Sequence, residues 1–277
     1  MSKVWLITGS SRGFGAELVR AVLTHGDRVV ATARNPEQVR GLIEGFEDRA
    51  RVFALDVTDA EAAAAAVEFA VCEFGRIDVV VNNAGYANSA AIEETDPADF
   101  RAQIEANLFG VVNVTRAALP VLRAQRSGVF VQFSSIGGRV GGTPGLGAYQ
   151  TAKFAVEGFS EVLANEVAGF GVKVIIVEPG AFRTEWMGSS MTMHEPGPDY
   201  RDALGSMHEM RRNSNGSQPG DPARAARIII DVVESSEPPR RLLLGSDAVN
   251  IALASGAERN DEAKRWATVS RSSDFSE

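Results

Sequence analysis

Val4-Trp5-Leu6-Ile7-Thr8-Gly9-Ser10-Ser11-Arg12-Gly13-Phe14-Gly15 joins four apolar residues to a glycine-rich turn, and an amphipathic pattern then runs on to His25. A short apolar run closed by turn residues reads as a strand, and the 3.6-residue period after it as a helix. Glycines at 9, 13 and 15 admit positive φ and let the backbone approach a ligand closely. The helix start that follows offers free N–H groups and the positive end of a dipole to an anion. A pyrophosphate fits that description, so the stretch predicts a dinucleotide site at the head of an α/β fold.

Working outward, apolar runs recur at 4–7, 28–33, 51–55, 77–81, 129–133, 172–177 and 241–244, each followed by a helical stretch. Alternation of this kind predicts a single Rossmann-like, doubly wound parallel sheet of about seven strands with helices on both faces. With 277 residues, 44% of them hydrophobic, the chain can bury one large core, and residues 1–277 read as one domain. Helix starts are marked at Asn35, Asp96 and Asp221, each before a proline, and Thr58 to Glu61 reads as a capping box. The single Cys72 reads as a small core residue.

Further along, Tyr149-Gln150-Thr151-Ala152-Lys153 places a phenol and an ammonium one helical turn apart, on the same face. That is an acid/base pair. A nearby cation favours the phenolate and would draw the tyrosine pKa down from about 10 towards working pH.

Thr8-Gly9-x-x-x-Gly13-x-Gly15 together with Tyr149-x-x-x-Lys153 resembles the classical short-chain dehydrogenase/reductase family, and the likeness runs from about residue 3 to residue 245. Asn82-Asn83-Ala84-Gly85 looks like the family's N-N-A-G, which steadies the sheet and lines the cofactor cleft. Asn107 matches the family's helix asparagine, where a local kink frees a carbonyl for a water linked to Lys153. Pro179-Gly180-Ala181-Phe182-Arg183-Thr184 looks like P-G-x-x-x-T, which holds the nicotinamide amide and the pyrophosphate. Two serines adjoin where the family has one: Ser135 lies 14 residues before Tyr149 and Ser134 lies 15 before it, against a family spacing one shorter than the first. We assign Ser135, with the extra residue absorbed by the glycine-rich loop from Gly137 to Gly147.

The resemblance thus implies a catalytic set of Asn107, Ser135, Tyr149 and Lys153. For the cofactor it implies Gly9, Ser11, Arg12, Gly13, Phe14 and Gly15 from the first turn, and Arg34, Asp56 and Val57 from the next two strand ends. Asn83, Ala84 and Gly85 follow, then Tyr149 and Lys153, then Pro179, Gly180, Phe182 and Thr184. NADP is the expected dinucleotide. An acid roughly 20 residues past the glycine turn would bind a ribose 2′-hydroxyl, whereas an arginine accepts a 2′-phosphate. Thr32-Ala33-Arg34-Asn35 contains no acid, and Arg12 and Arg34 could grip the phosphate from two sides.

The expected activity is hydride transfer between NADP(H) and a carbonyl/alcohol pair on a largely apolar small molecule. The alternative is an NADP-sensing or regulatory protein of the same fold without chemistry. A net charge of −8 argues against nucleic acid as a partner, and the scattered His25, His194 and His208 against a metal. No apolar run is long enough to span a bilayer, and a strand begins directly after Met1-Ser2-Lys3 with no room for a signal peptide, so a cytoplasmic enzyme is expected. Residues 185–220, rich in methionine, read as a substrate lid, with Arg183, Arg201, Arg211 and Arg212 turned outward and Arg211 to Asn215 as solvated loop. Residues 247–277 read as a helical extension with a frayed end from Ser270. Surplus apolar residues on two long helices (Val111, Val114, Phe154, Phe159, Val162) predict a homodimer or homotetramer.

Overall fold

The computed structural model describes residues 2–188, 190–214 and 216–275, so Met1, Ser189 and Asn215 of the expected lid, and the last two positions of the expected tail lie outside the described residues. Seven strands form one parallel sheet: β1 (Val4–Ile7), β2 (Arg28–Ala33), β3 (Ala50–Ala54), β4 (Val79–Asn82), β6 (Gly128–Phe133), β7 (Val172–Pro179) and β9 (Arg241–Leu244). Two short strands, β5 (Ala87–Ser89) and β8 (Met191–Met193), pair separately. The sheet order is β3-β2-β1-β4-β6-β7-β9. From β1 the chain winds outward to β3, then returns to the far side of β1 and winds the other way. Loops at the carboxyl ends of β1 and β4 therefore part, and a crevice opens at that switch point.

Strand side chains alternate between two cores. Trp5, Ile7, Val79 and Val81 pack under α1 (Gly13–His25), α2 (Glu37–Ile43) and α9 (Pro222–Glu234), whereas Leu6, Val30, Val80 and Phe130 pack under α3 (Ala60–Phe74), α5 (Gly110–Gln125) and α7 (Gly147–Val167). Burial on both faces is why the strands read as unbroken apolar runs. The remaining helices are α4 (Pro97–Ile104), α6 (Ile136–Arg139), α8 (Arg201–Ser214) and α10 (Ser246–Arg271). No helix among the described residues is long and apolar enough to cross a membrane.

Local details depart from expectation in four places. The cap of α3 is Asp59, which accepts from the amides of Glu61 and Ala62, while Thr58 instead donates to Asp56 at 2.8 Å. Helix α2 starts after Pro36, with Asn35 accepting from the Glu37 amide. Cys72 is exposed, because Ala63, Ala66, Val67 and Ala70 carry the buried stripe of α3 and position 72 lies off it. Val111 and Val114 face the core, leaving Phe154 and Val162 as the exposed apolar residues of the predicted oligomer set.

Candidate active site

A cleft of about 830 Å³ opens over the carboxyl ends of the central strands. The glycine turn forms one wall. Gly9 and Gly13 have φ of +67° and +55°, the left-handed region that glycine adopts freely. Gly15 differs: its φ is not positive, and an added Cβ would lie 2.1 Å from the Gly9 carbonyl oxygen, so glycine is required there by close packing. Phe14 sits between Phe133 and Phe182, with ring centroids 5.4 and 4.9 Å away. Asn83 fastens the turn to β4, its amide donating to the carbonyls of Thr8 and Gly9 at 3.0 and 3.1 Å. Its neighbour Asn82 ties β4 to α5 and β6 through Thr115 and Gln132.

Every expected cofactor residue except the packed Gly15 lines this cleft, as do Asn107, Ser135, Tyr149 and Lys153. Arg12 and Arg34 are exposed at its outer end and form no ion pair among the described residues. At the other end, Gly180 and Ala181 are held by Leu244 and Asp247, and a Cβ on Gly180 would meet the Asp247 carboxylate at 2.4 Å. Thr184 caps a turn of 3-10 helix (Glu185–Met187) by accepting from the Trp186 amide.

The catalytic helix α7 begins at Gly147 and carries Tyr149 and Lys153 inward, at 7% and 4% exposure. Arg241 pins this helix to the sheet, reaching Glu157 at 3.0 Å and the buried Glu178 at 3.1 Å. Ser135 caps α6, accepting from the Gly137 amide at 3.0 Å, and its hydroxyl lies on the Tyr149 side of the cleft. Ser134 is turned away: its Oγ is buried, and a Cβ on Gly138 would meet it at 2.4 Å. The two serines thus have different surroundings, Ser134 buried against Gly138 and Ser135 beside the phenol.

The electrostatics differ from the sequence expectation. Burial pushes the Tyr149 phenol up to about 12, outweighing the nearby Ser135 hydroxyl that favours the phenolate. Burial likewise pulls Lys153 down to about 8, against the attraction of Glu157. The ammonium donates to the Phe133 carbonyl at 2.7 Å and lies 5.7 Å from the Tyr149 ring centroid. It spends its charge on the strand end rather than on the phenol oxygen. Desolvation therefore governs both groups, and the phenol is protonated at neutral pH.

Asn107 falls within a π-helical turn, Glu105–Phe109, inserted between α4 and α5, which is the kink the resemblance implied. Its amide nitrogen donates to the carbonyls of Tyr86 and Gln103, both at 2.8 Å, while its Oδ1 is buried without a hydrogen-bond partner among the described residues. An added Cβ on Gly85 would lie 2.4 Å from that oxygen and 3.7 Å from Lys153 Nζ. Asn107 and Lys153 therefore approach each other under Gly85.

Residues 185–188 and 190–214 fold over the outer side of the cleft. Strand β8 pairs with β5, Gly197 donates to Glu94, and Tyr200 bonds Glu93. Trp186 stands 5.2 Å from the Tyr149 ring, and Leu146, Met191 and Met193 complete an apolar wall beside it. The outward placement expected for the arginines holds for Arg183, Arg201 and Arg212 but fails for Arg211, which is 3% exposed. Helix α8 runs on to Ser214 where a loop was expected from Arg211, and turns Leu204, His208 and Arg211 inward together. Sequence reading also missed Gln38, Tyr86, Glu105 and Trp186 as cleft residues; Tyr86 and Trp186 lie within two positions of motif residues.

Comparisons with known proteins agree with this geometry. A sequence model of the short chain dehydrogenase family matches residues 3–195. The chain is 50% identical to Oxidoreductase BOA17 of Botryotinia fuckeliana (strain B05.10), over 99% of this chain and 100% of the other. A solved short-chain dehydrogenase from Streptomyces avermitilis is 40% identical with a TM-score of 0.91, covering 99% of this chain and 98% of its own. An alcohol dehydrogenase from Thermococcus sibiricus, solved with 5-hydroxy-NADP, is 25% identical with a TM-score of 0.73, covering 88% and 96%. With its motifs in order, its sheet in the matching topology and this likeness over nearly its whole length, the chain belongs to the short-chain dehydrogenase family of oxidoreductases.

Proposed function

We propose that the protein is a cytoplasmic NADP(H)-dependent oxidoreductase acting on a carbonyl/alcohol pair of a largely apolar small molecule. The observation that carries the reading is the gathering of Asn107, Ser135, Tyr149 and Lys153 in one cleft whose far wall is a glycine turn. The cradle fits a dinucleotide: side chains are absent at Gly9 and Gly180, where a Cβ would meet Ala84 and Asp247 at 2.8 and 2.4 Å. Backbone amides at the start of α1 would take the pyrophosphate, and Asp56 the adenine side. Arg12 and Arg34 would take a 2′-phosphate, and the 5-hydroxy-NADP bound by the Thermococcus sibiricus neighbour supports that choice. When bound, the nicotinamide supplies the hydride.

The chain's own residues handle the proton. Ser135 would hold the substrate oxygen beside Tyr149, and the phenol would donate its Oη proton to that oxygen as the carbonyl becomes an alcohol. The neutral phenol would donate in the reduction, and its phenolate would accept in the reverse oxidation. Lys153 would support the phenolate left behind and hold ribose hydroxyls, and Asn107 would steady the Lys153 side of the relay. Trp186, Leu146, Met191 and Met193 give the substrate side an apolar wall that Met-rich segments can adapt to several shapes. Residues 185–220 would act as its lid. Exposed Phe154 and Val162 on α7 support a homo-oligomer.

An NADPH-oxidation screen over ketones, aldehydes and quinones of graded size tests the reading. Turnover of uncharged apolar carbonyls, lost in Tyr149→Phe, is the expected result. Turnover confined to anionic substrates, or none at all while NADPH still binds, would overturn it.

A further inference from the structure

Lys153 is a buried cation that forms no ion pair among the described residues. The group it donates to, the Phe133 carbonyl, is neutral, and so is the phenol of Tyr149 one turn earlier. A buried ammonium in such surroundings gives up its proton unless a negative charge lies near. Glu157 follows one turn later on α7, and positions four apart on a helix bring their Cβ atoms to about 5–6 Å. Both side chains are buried and both turn toward the sheet, Lys153 to the end of β6 and Glu157 to Arg241 on β9. Only Oε2 of Glu157 takes the bond from Arg241; Oε1 is buried without a hydrogen-bond partner among the described residues.

Glu157 belongs to a larger set of charges. Arg241 reaches Glu157 at 3.0 Å, Glu161 at 2.6 Å and Glu178 at 3.1 Å, and Arg139 reaches Glu178 at 3.3 Å. Three carboxylates therefore meet two guanidiniums. Arg139 and Arg241 are 39% and 30% exposed, so water screens them, whereas Glu157 and Glu178 are 8% and 0% exposed. The unscreened charge of the set is negative and faces the interior, where Lys153 lies. The pull of Glu157 indeed opposes the burial that lowers Lys153. Glu178 directly precedes Pro179, and Arg139 ends the short helix that Ser135 caps, so one set of charges underlies the serine turn, the catalytic helix and the Pro179–Gly180 segment.

We propose that Glu157 is a positioning residue for the reaction: its carboxylate, fixed by Arg241, is the counter-charge that keeps Lys153 an ammonium in its buried seat. The importance of that ammonium to turnover rests on the catalytic reading above; the counter-charge itself does not.

The chain has four lysines, Lys3, Lys153, Lys173 and Lys264, so carbon-13 labelling at lysine Cε lets each be titrated by NMR in the unliganded protein. Titration runs upward from about pH 7, where Glu178, raised to about 6, is ionised. Glu157→Gln keeps the shape and an acceptor for Arg241 but removes the charge, and should lower the Lys153 midpoint by about one unit while the other three lysines stay put. Glu157→Met, suited to a buried site, should do the same and serves if the amide variant does not fold. Glu157→Asp keeps the charge and should recover most of the fall. Glu161→Gln, which removes an exposed partner of the same arginine, should change little. A merely structural loss would act in reverse, since water admitted around Lys153 would carry its midpoint up toward the ordinary 10.5. A midpoint that rises or stays unmoved in the neutral variants would overturn the proposal. In turnover assays the alkaline limb of kcat/KM should move with the NMR midpoint; a shifted midpoint beside an unmoved limb would overturn the catalytic reading of Lys153 rather than the counter-charge.

Discussion

Arg211 donates to the Ser89 hydroxyl at 2.8 Å inside the protein, and His208 meets the same oxygen at 2.9 Å from one turn earlier on α8. The guanidinium also reaches the Pro144 carbonyl at 3.2 Å, in the loop that leads to Tyr149. One buried cation thus joins the segment over the cleft, the strand β5 and the approach to the catalytic helix. Arg211→Met keeps the volume but leaves Ser89 and Pro144 without that donor, at a cost of about 1–3 kcal/mol. The expected outcome is a lower melting temperature and faster hydrogen exchange across residues 191–214. Unchanged exchange there would show that the β5–β8 pairing holds the segment alone.

Tyr149→Phe removes the proton donor and keeps the ring that packs against Trp186. Turnover should fall by about 10²-fold or more, the usual contribution of a positioned acid, with NADPH affinity nearly unchanged. Lys153→Ala should harm both, because that side chain serves the phenol and the ribose. Activity of the phenylalanine variant within about tenfold of wild type would mean that another group supplies the proton.

Lys153 also predicts a pH dependence of stability. Its folded value of about 8 lies below the ordinary 10.5, so between these the unfolded chain holds more protons than the folded one. Stability therefore rises with pH across that window, and the burial penalty of the ammonium is fully present below it. Tyr149 acts oppositely, losing stability from about 10 to about 12, which leaves roughly pH 8 to 10 to the lysine alone. Melting curves of the unliganded protein should show wild type gaining on Lys153→Met over that interval. A constant difference between the two would mean that Lys153 stays fully charged in the fold.

The strands were legible because burial on both faces leaves unbroken apolar runs, and β2 and β9 fall on the expected residues. The cleft was legible because glycines and short motifs, in the order the family resemblance implies, line it. Arg211 was not. Its neighbours Arg212 and Asn213 are polar, and composition suggested a loop, yet Leu204, His208 and Arg211 at positions i, i+4 and i+7 already trace one helix face. Reading only apolar residues as inward hid that face. The pKa directions were hidden for a related reason: spacing reveals that a lysine lies near a tyrosine, whereas desolvation depends on everything packed around them.

Arg12 and Arg34 carry the last prediction. Both are exposed at the cleft's outer end, without ion pairs among the described residues, and the end of β2 offers no carboxylate to a ribose. Two cations with no protein partner cost little to keep in water, and a 2′-phosphate would engage them by charge-assisted bonds worth about 1.5–3 kcal/mol each. Titration of the wild-type protein should therefore show tighter binding of NADPH than of NADH. Arg34→Ala should weaken NADPH by about tenfold or more and leave NADH nearly unaffected, since the lost bond serves only the phosphate. Arg12→Ala should act in the same direction, and raised salt should narrow the wild-type preference because these charges are exposed. Equal wild-type affinities for the two cofactors would remove the phosphate from the argument and leave both arginines as solvated surface.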